Sequence, residues 1–221
     1  MKRNAKRKPP PPTQAARRAQ SERRLLDAAT QLIAEQGFSK TTLAQIGEKA
    51  GYSRGLVNER FGSKGELVRV LADEFQQYFA HDQLEPALVG KHGLEALLVT
   101  VDTYLDSVVS SEHLGRAYYE LLGESIGLVP EIHGTFVEAD RAMRAGVERT
   151  IRSAVHAGEI PKDVDAPAFA VFIVGLLRGI VLQWLLAPSG FDLTAVRVEI
   201  RRTLERAFAG AKPSGARRTR R

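Results

Sequence analysis

The stretch TTLAQIGEKAGYSRGLVNERFGSK, residues 41–64, admits few folds. Leu43, Ile46 and Ala50 recur at three- and four-residue spacing, so they share one face of a short helix. Gly51 follows, at a turn whose positive φ only glycine adopts cheaply. Ser53 is placed to cap a second short helix, with Tyr52 before it and Val57 inside it as core anchors. Gly47 falls where the two helices cross, and a larger side chain there would push them apart. The spacing predicts two helices and a tight turn packed as one unit.

The pattern extends in both directions. Upstream, RRLLDAATQLIAEQGF puts Leu25, Leu26, Ala29, Leu32 and Ile33 on one face, with Gly37 ending the helix. Downstream, Ser63-Lys64-Gly65-Glu66 has the form of a capping box and predicts a helix through Leu67, Leu71 and Phe75. The second helix of such a unit lays its amino-terminal residues on base edges in the DNA major groove. With Val57 inward and Ser53 at the cap, Arg54, Gly55, Leu56 and Asn58 lie on the open side. Arg54 suits guanine O6 and N7, Asn58 suits adenine N6 and N7, and Leu56 suits a thymine methyl. Gly55 costs the helix about 1 kcal/mol relative to Ala but lets the backbone approach DNA. Thr42, with a helix amino terminus behind it, and Lys64 are candidate phosphate contacts, and Arg60 is a further candidate DNA contact.

The paired alanines at 28–29, Thr41-Thr42, the run Ala50-Gly51-Tyr52-Ser53 and Phe61-x-Ser63-Lys64 together resemble the TetR-type family of bacterial repressors over about residues 21–80. The resemblance implies an all-α fold of about nine helices. In it a three-helix DNA-binding head joins a larger helical domain for ligand binding and dimerisation. It also implies that the last two long helices form a four-helix bundle with their symmetry mates, and that a small-molecule pocket lies among the helices. The family usually has Tyr at the position of Asn58 and aromatic residues or His at those of Glu59 and Arg60, so its base preferences do not carry over.

Charge divides the chain. The net charge is +6, yet residues 1–24 hold nine Lys/Arg against one acid and residues 210–221 hold five against none. The remainder has 18 basic and 25 acidic residues, a net of −7. The expected organisation is a disordered basic arm over 1–20, a head over 21–66, a helical domain over 67–209 and a disordered basic tail over 210–221. The arms either solubilise the chain or follow phosphates, and Arg17, Arg18, Arg23 and Arg24 are best placed for the second role because they lead into the head. The chain has no Cys, which suits a reducing cytoplasm, and prolines replace the apolar core that a secretory leader would show.

Beyond residue 91 the chain reads as helices without strand alternation. Residues 166–187 are apolar nearly all round, which fits either a membrane span or a helix buried on two sides; Arg178 at the centre favours burial. One face holds Phe169, Ile173, Leu177, Ile180 and Trp184, and the opposite face holds Phe172, Gly175, Gly179 and Leu182. The last helix carries Val196, Ile200, Leu204 and Phe208. The second and third sets together are the expected homodimer interface. Tyr104, His113, Tyr118, Tyr119, Phe136, Met143 and Trp184 are either plain core or the lining of an effector pocket. The five His are scattered without metal-ligand spacing, and no nucleophile–base set or phosphate loop occurs, so neither enzyme, metal nor cofactor is expected. The leading expectation is a homodimeric, ligand-responsive repressor of a palindromic operator in double-stranded DNA; the alternative is a ligand-independent, low-specificity DNA-organising protein.

Overall fold

The computed structural model describes residues 13–208 apart from Leu128, and among these it is all-α. Helix α1 (Gln14–Gln36) starts where the Thr13 hydroxyl accepts from the Ala16 N–H. It therefore absorbs residues 14–20, which the composition assigns to an irregular arm; Arg17 and Arg18 are exposed helix residues. The acid-free, apolar-poor sequence hid a helix that a single threonine cap initiates. The rest of the expected arm and the carboxyl-terminal tail lie outside the described residues.

Helices α2 (Leu43–Ala50) and α3 (Arg54–Phe61) meet at a left-handed Gly51, φ 78°. The Tyr52 N–H returns to the Gly47 carbonyl at 2.7 Å and closes the turn. A Cβ on Gly47 would stand 2.9 Å from the Tyr52 carbonyl oxygen and 3.1 Å from the Ser53 carbonyl carbon. Both atoms are backbone, so neither can rotate away. Gly47→Val is accordingly expected to destabilise the fold by about 1–3 kcal/mol, as overpacked cores do. A calorimetric melt should show this as a Tm drop of roughly 2–12 °C; an unchanged Tm would contradict the close crossing. Leu25, Ala29, Ile46 and Val57 are fully buried together, contributing about 1.5–3 kcal/mol for each larger side chain.

Helix α4 (Lys64–Gln77) begins at Ser63, whose hydroxyl accepts from the Glu66 N–H. The expected capping box is only half made, because Glu66 turns to Arg69 at 2.9 Å and the Ser63 N–H goes to the Phe61 carbonyl. The full box is at Thr42, which exchanges bonds with Gln45. Helix α4 then runs into a π-helical segment, Tyr78–Leu84, and a single turn α5 (Glu85–Ala87).

Five longer helices follow: α6 (Gly93–Ser110), α7 (Glu112–Ser125), α8 (Pro130–His156), α9 (Ala166–Leu186) and α10 (Leu193–Phe208). The head core does not stop at residue 66. Leu67, Val68, Leu71 and Phe75 of α4 join it, as do Ala117, Tyr118 and Leu121 of α7 and Ile132 and Phe136 of α8. The second core gathers α6, α8, α9 and α10 around Leu97, Leu105, Ile151, Ile173 and Leu177. Helix α9 is long and apolar enough to cross a membrane by length and composition, but Ile173, Leu177 and Ile180 face this core. Arg178, half-buried, meets Asp140 of α8, as a charge partly withdrawn from water requires.

Candidate nucleic-acid interface and internal cavity

The amino terminus of α3 is open. Arg54, Gly55 and Asn58 are exposed, Leu56 is half-buried, and the Ser53 hydroxyl accepts from the Leu56 N–H at 3.3 Å. Arg23 and Arg24 are exposed on α1. Three other candidates sit differently from expectation. The Thr42 hydroxyl donates to Gln45 Oε1 at 2.9 Å and accepts from the Gln45 N–H, so only the helix terminus behind it can serve a phosphate. The Arg60 side chain is 13 % exposed, pairs with Glu59 at 3.3 Å and keeps its Nε buried without a partner. A guanidinium folded against the head in this way is not presented to DNA.

Lys64 is the third. Its Nζ lies 3.8 Å above the centre of the buried Phe38 ring, a cation–π contact. Burial lowers its pKa, and Glu124 and Glu131 pull it back up. Lys64 thus belongs to a junction between head and body. At its centre is Glu124, near the end of α7, whose carboxylate reaches the loop between α1 and α2. It accepts from the Phe38 N–H at 2.9 Å, the Ser39 N–H at 3.1 Å and the Ser39 hydroxyl at 2.6 Å. The same loop buries Thr41, which donates to the Gly37 carbonyl at 2.8 Å, and delivers the Thr42 cap. A carboxylate 85 residues away thus fixes the entry to the two-helix unit.

The body encloses a cavity of about 370 Å³ between α4, the π-helical segment, α6, α7 and α8. Phe75, Phe79, Tyr104, Tyr118, Met143 and Val147 make its walls, and Gln76, Glu85, Arg149 and Thr150 stand at the more open end. Rings dominate: Phe75 stacks on Tyr118 at 4.2 Å, and Phe79 meets Tyr104 edge-on at 5.4 Å. Of the candidate pocket residues, Tyr104, Tyr118 and Met143 line this space. Tyr119 lies behind it, hydroxyl to hydroxyl with Tyr104 at 2.9 Å. Phe136 packs against Tyr118 in the head core, His113 is exposed, and Trp184 is half-buried against the second core; none of the three lines the cavity. The π-helical stretch was invisible to periodicity, because its wider turn brings Phe79 and Leu84 to one wall without a 3.6-residue repeat.

The outer side of α9 is unusually apolar for an exposed surface. Phe172 is 55 % exposed and Leu182 52 %, with open space over Gly175 and Gly179. On α10 the candidate Val196 joins this face, where an open groove runs between α9 and α10 that Ile200 and Leu204 also line. Ile200, Leu204 and Phe208 are buried in the chain's own core, which corrects their assignment to an interface. Their stripe is real, but it is spent on α6 and α9. Arg197 and Arg201 hold α10 in place through Asp106 at 2.5 Å and Asp102 at 2.7 Å.

Two family models match this chain: that of the bacterial regulatory proteins of the tetR family over residues 25–71, and that of the BetI-type transcriptional repressor carboxyl-terminal domain over residues 94–209. The chain belongs to the TetR family. TetR-family proteins are transcriptional regulators that bind DNA, not enzymes. Two curated relatives come from Pseudomonas putida. The HTH-type transcriptional regulator SrpR is 30% identical over 166 residues, 75% of this chain and 76% of that one. The regulator TtgR is 26% identical over 176 residues, 76% of this chain and 82% of that one. The solved SmeT–triclosan complex shares the fold at a TM-score of 0.73 and 21% identity, covering 88% of this chain and 93% of that one. The TetR match explains why α1 to α4 carry the densest sequence signal: it covers the turn, the caps and the core of the head.

Proposed function

We propose that this TetR-family protein is a homodimeric repressor of a palindromic operator, acting in the cytoplasm and released when a small molecule enters the α4–α8 cavity. The observation that carries the reading is the double use of α4. Its first half completes the head core and its second half, with the π-helical segment, forms a cavity wall. A molecule that displaces Phe75 or Phe79 changes the packing on which the head rests. Release requires only that the effector bind better to the displaced arrangement than to the one that fits DNA. The triclosan complex of a structural neighbour and the repressor names of relatives support a ligand-responsive repressor. Arg54 and Asn58 read bases, the amino termini of α2 and α3 hold phosphates, and Arg23 and Arg24 add charge beside them. Two heads on one face of DNA place the half-sites about 34–36 Å apart.

The test is selection of a binding site from random duplexes, followed by titration of the winning palindrome and a scrambled control. The expected ratio of affinities is at least about 10³. Arg54→Ala is expected to relax one base position in each half-site, at about 1–3 kcal/mol per contact. A ratio near one, with a steep salt slope, would replace this reading by a low-specificity DNA-organising protein.

A further inference from the structure

Behind the buried wall of the cavity lies an arginine with more hydrogen-bond donors than its ion-pair partner uses. Arg178 gives one terminal N–H to Asp140 Oδ1 at 2.5 Å, while its Nε and second terminal nitrogen are buried with no partner. Buried donors without acceptors are costly, and guanidinium donors especially so. Asp140 is shared, since Arg144 also holds it at 2.7 Å. One carboxylate therefore faces two guanidiniums, and an excess of positive charge remains behind the cavity wall. That wall consists of Tyr104 and Tyr118, and Arg178 stands beside both hydroxyls. Burial, with Tyr104 adding to it, pushes the Tyr118 phenol up to about 12, so it keeps its proton and can donate. The opposite, open end is different in kind: Arg149 and Glu85 bring both signs, and Glu85 is already bonded to His81 at 2.8 Å.

Resting on the reading of this cavity as the effector site, we propose that the effector is a weak acid, with an aromatic or apolar body against Phe75, Phe79, Met143 and Val147 and a carboxylate at the buried end on the Tyr118 hydroxyl, with the Arg178 charge behind it. The oxyanion accepts from the Tyr118 hydroxyl and offsets the guanidinium charge behind it. A cationic head would meet that same excess charge and leave the Tyr118 hydroxyl without an acceptor. A neutral amide supplies one acceptor without the charge.

The probes are 4-butylbenzoate, 4-butylbenzamide and 4-butylbenzylamine, which share one body and differ in the head. Titration calorimetry on the full-length protein should show the carboxylate binding about 10- to 100-fold more tightly than the amide, the range of a hydrogen bond to a charged group. The amine should be the weakest. Arg178→Gln is expected to bring the carboxylate-to-amide ratio close to one. Tyr118→Phe removes a single oxygen and leaves the ring stack, so it keeps the test open if the arginine variant fails to fold; it should lower the ratio several-fold. Arg149→Gln should leave the ratio unchanged. Val147→Trp, which fills the cavity, should abolish binding of every head. An amine that equals or exceeds the acid, or a ratio that follows Arg149 rather than Arg178 and Tyr118, overturns the weak-acid inference while Val147→Trp still upholds the cavity. Absence of binding by all three, or binding indifferent to Val147→Trp, overturns the cavity reading together with the inference.

Discussion

Replacing Phe172 and Leu182 together by glutamate is expected to yield a folded monomer that no longer distinguishes its operator from other DNA. Both side chains are more than half exposed in the single chain, so the carboxylates remain solvated and the monomer loses little. Across a two-fold interface each residue meets its own copy or a near neighbour, and four carboxylates would be brought into one desolvated seam. With one head on DNA, half of the contacts vanish and affinity should fall towards the non-specific range of roughly 10⁻⁴–10⁻⁶ M. Gly179→Leu tests the same face by bulk. A Cβ there meets nothing within 4 Å inside the chain, and replacing a mid-helix glycine favours the helix by up to about 1 kcal/mol. Any loss of pairing must then come from the second copy. Sedimentation velocity and operator titration read both variants; dimers that bind the operator normally would move the interface away from α9. Leu204→Glu cannot serve, because Leu204 is 3 % exposed and a charge there tests folding.

The second large effect is expected at Glu124. Glu124→Ala removes the acceptor for the Phe38 and Ser39 N–H groups and the Ser39 hydroxyl. These bonds fix the loop that leads into the Thr42 cap, so the two-helix unit should sample more orientations and operator affinity should fall about tenfold. That is the lower end of what hydrogen bonds to a charged group contribute, since Ser39 is exposed. Glu124→Gln keeps one acceptor oxygen and should retain most of the affinity. An alanine variant that is folded and binds the operator like the parent would show that the junction is passive. Lys64→Ala offers a contrast: it sits over Phe38, and its loss should move Tm more than the salt slope.

The head was legible because its constraints are local. A left-handed Gly51, the crossing Gly47 and the caps Ser53 and Ser63 each leave a fixed residue type at a fixed spacing. The body was legible only as helices. An apolar stripe says that a face is buried and not by what, which is why Ile200, Leu204 and Phe208 read equally well as a seam and as core. The exposed stripe of Phe172, Gly175, Gly179 and Leu182 on α9 was separable from its buried face because two full faces cannot both pack on one domain. The cavity depended on long-range meetings of Phe75, Phe79, Thr100 and Met143, and on a π-helical segment with no periodic signature. The Glu124 junction and the Arg178–Asp140 pair span 85 and 38 residues, beyond any spacing rule. Arg60 departs from expectation for a related reason: a charge on a short helix reads as solvated, yet this side chain is mostly buried and pairs with Glu59.

The shared helix α4 has a consequence for anyone wishing to retune this protein as a sensor. Phe75 belongs at once to the head core and to the cavity wall, so under the proposed function altering it to admit a new molecule also resets how firmly the head is held and how strongly the promoter is shut off. Sensitivity and background expression would then drift together. Met143 and Val147 project from α8 into the same space without entering the head core, which leaves selectivity adjustable there while the basal output stays where it was.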